Sequence, residues 1–217
     1  MLLSSLPFAS FLSYTPRAED RVQENSRELT YALKRDRIRP GSPPQLTTVY
    51  LARGLAGSIQ GTGLEDILGP EVLLVPMPSS SKPVPGGLWI PQRLADALVG
   101  VGLGESTHPL LKRIRTIPKS ASSGPGQRPT AQLHYETLEA RRRLLAPDTR
   151  IVLVDDVITS GATMLGAASV LAEEYPFSDI KAFAMVRTIS NASDFSAIIL
   201  PCIGKITRRG DFTHREP

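Results

Sequence analysis

Apolar runs separated by polar and proline-rich stretches predict strands that alternate with helices. The clearest strand covers 150–154 (RIVLV), and the clearest helix covers 161–174. The same pattern predicts strands at 71–75, 110–114, 180–186 and 197–200, and helices at 19–39, 46–60, 89–99 and 132–143. Strands that alternate with helices pair in parallel and are buried on both faces, so the pattern predicts an α/β protein with a mostly parallel sheet.

The two ends of the chain differ from this central pattern. Residues 1–11 are apolar but follow no basic segment and precede no small-residue cleavage site, so we expect them to pack on the body of the protein and not to form a signal peptide. We divide the chain into an N-terminal helical segment, 1–70, and a core, 71–217, which together form one compact unit.

Composition narrows the class of protein. A chain of 217 residues, 41% hydrophobic and 21% charged, is long enough for one domain with its own core. Cys202 is the single cysteine, which excludes an intrachain disulfide and favours the reducing cytoplasm. No apolar stretch reaches the length of a membrane span, so we expect no membrane partner.

Basic residues cluster in two places although the net charge is only +4. One cluster lies within 112–143 and includes Arg141, Arg142 and Arg143; the other is Lys34, Arg35, Arg37 and Arg39. Such clusters are compatible with an anionic small molecule or with nucleic acid. We expect Arg141, Arg142 and Arg143 to lie at a solvated helix end.

The segment 151–163, IVLVDDVITSGAT, combines a buried strand, two carboxylates and a short polar loop that opens a helix. Ligands of parallel sheets bind beyond the carboxyl ends of strands, and a helix N-terminus binds anions. Gly161 allows close backbone approach to an anion, and the loop hydroxyls can donate to it. Asp155 and Asp156 repel phosphate but can accept from sugar hydroxyls or hold a hard cation, so the segment fits a phosphorylated sugar.

Other interpretations of two aspartates after a strand remain open. One of them can cap the helix or complete a turn. The second motif of P-loop NTPases is similar, but the GxxxxGK[ST] loop is absent from this sequence. The acidic pocket of response-regulator receivers is also similar, but Asp179, Asp194 and Asp211 are poor candidates for its phospho-acceptor.

With its TSGAT tail, the segment resembles the phosphoribosyl pyrophosphate (PRPP) motif of type I phosphoribosyltransferases. Residues 72–98 resemble the family's first strand, pyrophosphate loop and helix, and 110–143 resemble its second strand and long loop. The nearest branch is ComF-like, although the Cys-rich zinc finger of that branch is missing. The resemblance covers about 72–203 and implies the type I fold: a mostly parallel sheet flanked by helices, with a small hood over the site. The chain ends, including the tail after 204, would contribute to that hood.

The resemblance implies roles for particular residues. Asp155 and Asp156 would hold the ribose hydroxyls and Mg²⁺. Arg115 and Lys119 would close over the leaving group from a loop at 116–130, for which a solvated linker is the alternative. The remaining groups would bind phosphates: Thr159, Ser160, Gly161, Ala162 and Thr163 at the 5-phosphate, and Ser79, Ser80, Ser81 and Lys82 at the pyrophosphate.

The expected activity is therefore Mg²⁺-dependent transfer of a phosphoribosyl group from PRPP to a nitrogenous acceptor, with release of pyrophosphate, in nucleotide metabolism. A homodimer is compatible with this expectation. The alternative is a non-catalytic PRPP or nucleotide sensor that regulates a partner or nucleic acid, in a process such as DNA uptake. Hydrolysis or pyrophosphorolysis of a nucleotide would use the same site in reverse.

Overall fold

The computed structural model describes residues 1–79, 86–117 and 129–217. Within these ranges the helices are α1 (Arg21–Lys34), α2 (Thr47–Ser58), α3 (Ile90–Val99), α4 (Ala131–Thr137) and α5 (Ala162–Glu174). The strands are β1 (Ser5–Tyr14), β2 (Ile38–Arg39), β3 (Gln45–Leu46), β4 (Leu73–Pro76), β5 (Ser106–Thr107), β6 (Leu111–Arg113), β7 (Leu138–Ala140), β8 (Arg150–Ile158), β9 (Asp179–Thr188), β10 (Ile199–Arg209) and β11 (Phe212–Glu216).

Seven strands form one central sheet in the order β11-β10-β1-β9-β8-β4-β5. The strands from β1 to β5 in this order pair in parallel, whereas β10 is antiparallel to both β1 and β11. The pair β2–β3 is a short hairpin, and β6 and β7 form a separate two-stranded antiparallel sheet although α4 lies between them in the chain. This arrangement confirms the predicted α/β architecture with a mostly parallel sheet.

The sheet separates two apolar cores, and β8 contributes to both. Leu153 packs on one side with Leu165 of α5, whereas Val154 packs on the other side with Leu94 of α3. Successive strand residues point to opposite faces, so the part of β8 that is covered on both sides, 151–154, is apolar at every position. No helix within the described ranges is long and apolar enough to cross a membrane.

The apolar N-terminus lies in the middle of the sheet, where the sequence had predicted only packing on the body. Phe8 pairs with Ala182 of β9 on one side and with Gly204 of β10 on the other. The polar residues Ser10 and Ser13 are buried together with their apolar neighbours. β1 therefore lacks the alternation of exposed polar and buried apolar residues that marks a half-exposed strand. The segment 1–70 therefore supplies a sheet strand in addition to α1 and α2.

Helix α1 ends five residues before the predicted boundary at 39. It begins where the side chain of Asp20 accepts a hydrogen bond from the backbone N–H of Gln23 at 2.8 Å. It ends at Lys34, because Asp36 has a positive φ of 44° and the chain then forms the β2–β3 hairpin. Helix α2 agrees closely with its predicted range.

Segment 132–143 is only partly helical. Helix α4 stops at Thr137, and the next three residues form β7, which pairs with β6 through Arg113 and Leu138. Tertiary pairing therefore overrides the helical pattern here. The C-terminal region also differs from the prediction, because β10 extends to Arg209 and turns at Gly210 into β11.

Candidate functional site

Strand β8 carries the two predicted carboxylates inside its last four residues. The strand runs to Ile158, four residues past the predicted end, so Asp155 and Asp156 belong to the strand and not to the following loop. Thr159, Ser160 and Gly161 then connect β8 to α5. Because β8 lies between the parallel strands β4 and β9, the loop stands at the carboxyl edge of the sheet, where parallel sheets bind ligands.

Gly161 is required by two features of this loop. It is the N-cap of α5 with φ of 83°, a left-handed conformation that other residues rarely adopt. In addition, a Cβ atom at this position would lie 2.7 Å from Cδ1 of Ile206 in β10. Gly161 has no side chain to cap the helix, so the first-turn N–H groups are available to an anion.

The predicted phosphate loop and one carboxylate share a small cavity of about 40 Å³. Its volume is far below the roughly 300–1,000 Å³ of whole-ligand pockets, so it can take one compact group such as a phosphoryl. Its wall is formed by Asp155, by residues 157–164, which include Thr159, Ser160, Gly161, Ala162 and Thr163, and by Pro129.

Asp155 and Asp156 are electrostatically coupled. The backbone N–H of Asp156 donates to Oδ1 of Asp155 at 2.9 Å. Burial raises the pKa of Asp155 well above its usual value, and the charge of Asp156 raises it further, although Lys34 acts in the opposite direction. A hydrogen-bond donor or a cation placed between the two side chains would relieve this penalty.

The other predicted site residues are placed less directly. Ser79 closes the first described range, and its carbonyl accepts from Nε of Arg113 at 2.7 Å. Arg115 is exposed, and its Nη2 donates to the Glu136 carbonyl at 3.1 Å. Ser80, Ser81, Lys82 and Lys119 lie outside the described residues, as does most of the predicted loop at 116–130.

Arg113 and His134 are two buried residues beside this site that the sequence analysis did not select. Nη1 of Arg113 donates to Oγ1 of Thr137 at 2.9 Å, and Nη2 approaches Nδ1 of His134 at 3.5 Å. Burial lowers the pKa of Arg113 to about 10. The sequence contains a signal for Arg113. It lies two residues after Leu111 in β6, so the two side chains share the buried face of the strand.

Arg215 of β11 donates hydrogen bonds to two backbone carbonyls, one of which lies in the candidate phosphate loop. Its Nε donates to the Thr159 carbonyl at 2.8 Å, and its Nη2 donates to the Thr188 carbonyl at 2.6 Å. Burial lowers its pKa, and the charge of Arg187 lowers it further. Nothing in the local sequence indicates this contact, because it depends on the fold of the C-terminal hairpin.

The described side chains of the candidate site supply few coordinating atoms for a metal ion when no substrate is bound. Within the described ranges, no group of three or more His, Cys, Asp or Glu side chains could hold a metal ion. Two adjacent carboxylates nevertheless suit Mg²⁺, which usually takes one or two protein carboxylates and completes its shell with water and substrate phosphates.

Comparison with known proteins leaves the family open, since neither a protein-family model nor a curated protein matches this chain. The fold and the site define the class that can be stated: an α/β protein with a mostly parallel seven-stranded sheet and a carboxylate-lined cavity at the N-terminus of a helix.

Proposed function

We propose that this protein is a phosphoribosyltransferase of the type I fold, which moves a phosphoribosyl group from PRPP to a nitrogenous acceptor and releases pyrophosphate. The observation that carries the proposal is the shared cavity. One wall of it is a loop with free helix N-terminal N–H groups and hydroxyls, and another is the Asp155 carboxylate. A ribose 5-phosphate presents the matching groups, an anion and two vicinal hydroxyls, a few bonds apart.

Each part of the site has a distinct task in this proposal. The loop 159–163 binds the 5-phosphate through backbone N–H groups and the dipole of α5. Asp155 and Asp156 accept from the ribose 2- and 3-hydroxyls, which replaces the repulsion between the carboxylates with charge-assisted hydrogen bonds. Displacement at the ribose C1 passes through an oxocarbenium-like state, so a fixed ribose and exclusion of water matter more than a covalent nucleophile.

Asp155 and Asp156 are also the residues that would hold Mg²⁺. Bound there together with PRPP, Mg²⁺ would supply positive charge next to the pyrophosphate leaving group. The resemblance assigns Ser79, Ser80, Ser81 and Lys82 to the pyrophosphate and Arg115 and Lys119 to the leaving group. Those assignments stay predictions.

The decisive experiment has two parts. Calorimetry measures the affinity of the protein for PRPP in the presence of Mg²⁺, and pyrophosphate release is then measured with a panel of nucleobases. The double variant Asp155→Asn/Asp156→Asn should bind PRPP at least about 100-fold more weakly, since two charge-assisted hydrogen bonds are each worth about 1.5–3 kcal/mol. Asp148→Asn is the control, because Asp148 is exposed and its positive φ of 66° suits asparagine. Undiminished affinity in the folded double variant would contradict the proposal.

One observation favours the sensor as a second candidate. Asp36, the acidic residue that interrupts the basic run, is buried, and its carboxylate is held by Thr48 and by Arg93 at 3.0 Å. The basic run therefore presents only positive charge to solvent. Its arginines Arg35, Arg37 and Arg39 line a groove of about 620 Å³, and Glu28 is the one acidic residue among the described residues that line it.

PRPP binding without turnover, together with nucleic-acid binding, would select this second candidate. Nucleic-acid affinity should then fall steeply with salt, and Arg37→Gln should reduce that slope whereas Arg141→Gln should not. Turnover of PRPP with an identified acceptor, and no nucleic-acid binding at physiological salt, would select the transferase.

A further inference from the structure

A chain of polar contacts joins the two loops of the candidate site through one buried histidine. Arg113 donates to the Ser79 carbonyl at one end and faces Nδ1 of His134 at 3.5 Å at the other. Nε2 of His134 lies 3.1 Å from Oγ1 of Thr163, which lines the cavity. His134 is thus the single side chain between a buried guanidinium and a hydroxyl of the candidate phosphate loop.

The chemistry of these groups fixes the direction of every hydrogen bond in the chain. A guanidinium only donates, so Nδ1 of His134 must accept from it. The proton of a neutral imidazole then resides on Nε2, which donates to Oγ1 of Thr163. The Thr163 hydroxyl accepts this hydrogen bond and can still donate its own hydrogen. Within the described residues, the structure gives that hydrogen no protein acceptor.

The surroundings hold His134 in this neutral form. Only 3% of the residue is exposed. Burial, and then the Arg113 charge, lower the pKa of His134 to about 3, so the ring stays neutral across the physiological range. Its position is also fixed, because α4 packs tightly on α5: a Cβ at Gly166 would lie 2.7 Å from Cβ of His134 and 2.6 Å from the Ala131 carbonyl oxygen.

We propose that His134 is a positioning residue that fixes the Thr163 hydroxyl as a hydrogen-bond donor directed into the cavity, so that this position favours a ligand group that accepts a hydrogen bond, such as an oxygen of a phosphomonoester. The choice of a phosphate rests on the proposed function, whereas the direction of the hydrogen bonds does not. A fixed donor selects against ammonium and guanidinium groups, which can only donate and would face it with a donor of their own. Arg113 connects His134 to the Ser79 carbonyl through its guanidinium group.

The direction is tested without any ligand by the imidazole ¹⁵N spectrum of the full chain. We expect His134 to be the Nε2–H tautomer and to remain neutral from pH 8 to about pH 5, where an ordinary histidine of pKa about 6.5 has titrated. The signal is assigned by its loss in His134→Gln. An Nδ1–H tautomer, or titration near pH 6.5, would overturn the inference even if phosphates bind.

The role is tested by calorimetry with ribose 5-phosphate. Thr163→Val should weaken binding about tenfold through loss of one donor, whereas Thr163→Ser should retain it. His134→Phe should weaken binding as much as Thr163→Val. His134→Gln should bind with the affinity of the parent protein, since the glutamine amide can accept from Arg113 and donate to Thr163. If His134→Phe does not fold, the Thr163 pair and His134→Gln still decide the role.

The control is His108→Gln, because His108 contacts Arg143 and lies away from the cavity. Equal affinities for Thr163→Val and the parent protein would overturn the inference. Failure of the parent protein itself to bind ribose 5-phosphate would overturn the proposed function even if the His134 tautomer is as expected. The two failures are therefore distinguishable.

Discussion

The arginines of this protein fall into two groups that the sequence does not separate. Arg113 and Arg215 are drawn into the protein beside the candidate phosphate loop, where they donate to backbone carbonyls. Arg141 and Arg142 form part of the most conspicuous basic run, yet both are exposed. The density of charge in the sequence therefore identifies the solvated arginines, whereas hydrogen bonds to backbone carbonyls identify the buried Arg113 and the half-buried Arg215 beside the candidate site.

The partners of the two groups differ as well. Arg142 faces Glu174 at 3.3 Å, an exposed ion pair of the kind that contributes roughly 0–1 kcal/mol. Within the described ranges, neither Arg113 nor Arg215 pairs with a carboxylate. A buried cation without a counter-ion is costly, and a nearby anionic ligand would offset that cost.

The largest effect on stability should come from Arg113→Met. It removes the guanidinium contacts with the Ser79 carbonyl, Thr137 Oγ1 and His134 Nδ1, so we expect a loss of about 3 kcal/mol in the free energy of unfolding. Urea unfolding measures it. Arg115→Met is the matched control from the exposed group and should stay within about 0.5 kcal/mol. Equal effects of the two changes would remove the distinction between the groups.

Arg215→Met should have the next largest effect. Loss of the hydrogen bonds to the Thr159 and Thr188 carbonyls should lower stability by about 1–2 kcal/mol. Hydrogen exchange of the amides in 159–163 should also become faster, because the loop loses a fixed contact. Arg208→Met is the control, since Arg208 is exposed on β10. Unchanged exchange in this loop would show that Arg215 does not hold it.

Asp155→Asn extends the comparison to a buried carboxylate and should stabilise the protein. Because burial and Asp156 raise the folded-state pKa of Asp155, the folded protein loses stability as pH rises through that pKa. Asparagine removes this loss, so the variant should have a higher urea midpoint than the parent at pH 7.5, and the difference should shrink near pH 4. Asp148→Asn should show no such pH dependence. A lower midpoint for Asp155→Asn at pH 7.5 would contradict the assignment.

The smallest effect should come from Arg141→Ala and Arg142→Ala. Each should change stability by less than about 0.5 kcal/mol and leave ribose 5-phosphate affinity unchanged, because these side chains are solvated. Calorimetry and urea unfolding measure both quantities. A loss of phosphate affinity in either variant would place the basic run in the site after all.

The sequence predicted the order of elements in the candidate site better than it predicted the residues that contact those elements from elsewhere in the chain. The order of strand, carboxylates, loop and helix in 151–163 is local, so periodicity and residue type were sufficient to find it. Arg113, His134 and Arg215 reach the site through tertiary contacts: β6 pairs with β7, α4 packs on α5, and β11 folds back over β10. Such contacts join residues far apart in the chain, which no local pattern reports.

The missed strands have a similar explanation. β1 is buried on both faces and contains serines, so it lacks both the alternation of a half-exposed strand and an uninterrupted apolar run. The predicted strand at 197–200 covers only the start of β10, because the rest of β10 and β11 carry charged residues such as Lys205 and Arg209 at exposed positions.

The central position of β1 has a consequence for synthesis. Among the described elements β1 is synthesised first, yet its partners β9 and β10 are synthesised after nearly all of the others. Until they appear, the apolar face around Phe8 has no sheet to join, and closing such a distant pairing is intrinsically slow. A nascent chain arrested before residue 199 should therefore hold an unpaired β1 edge, which chaperones would have to shield from aggregation until release.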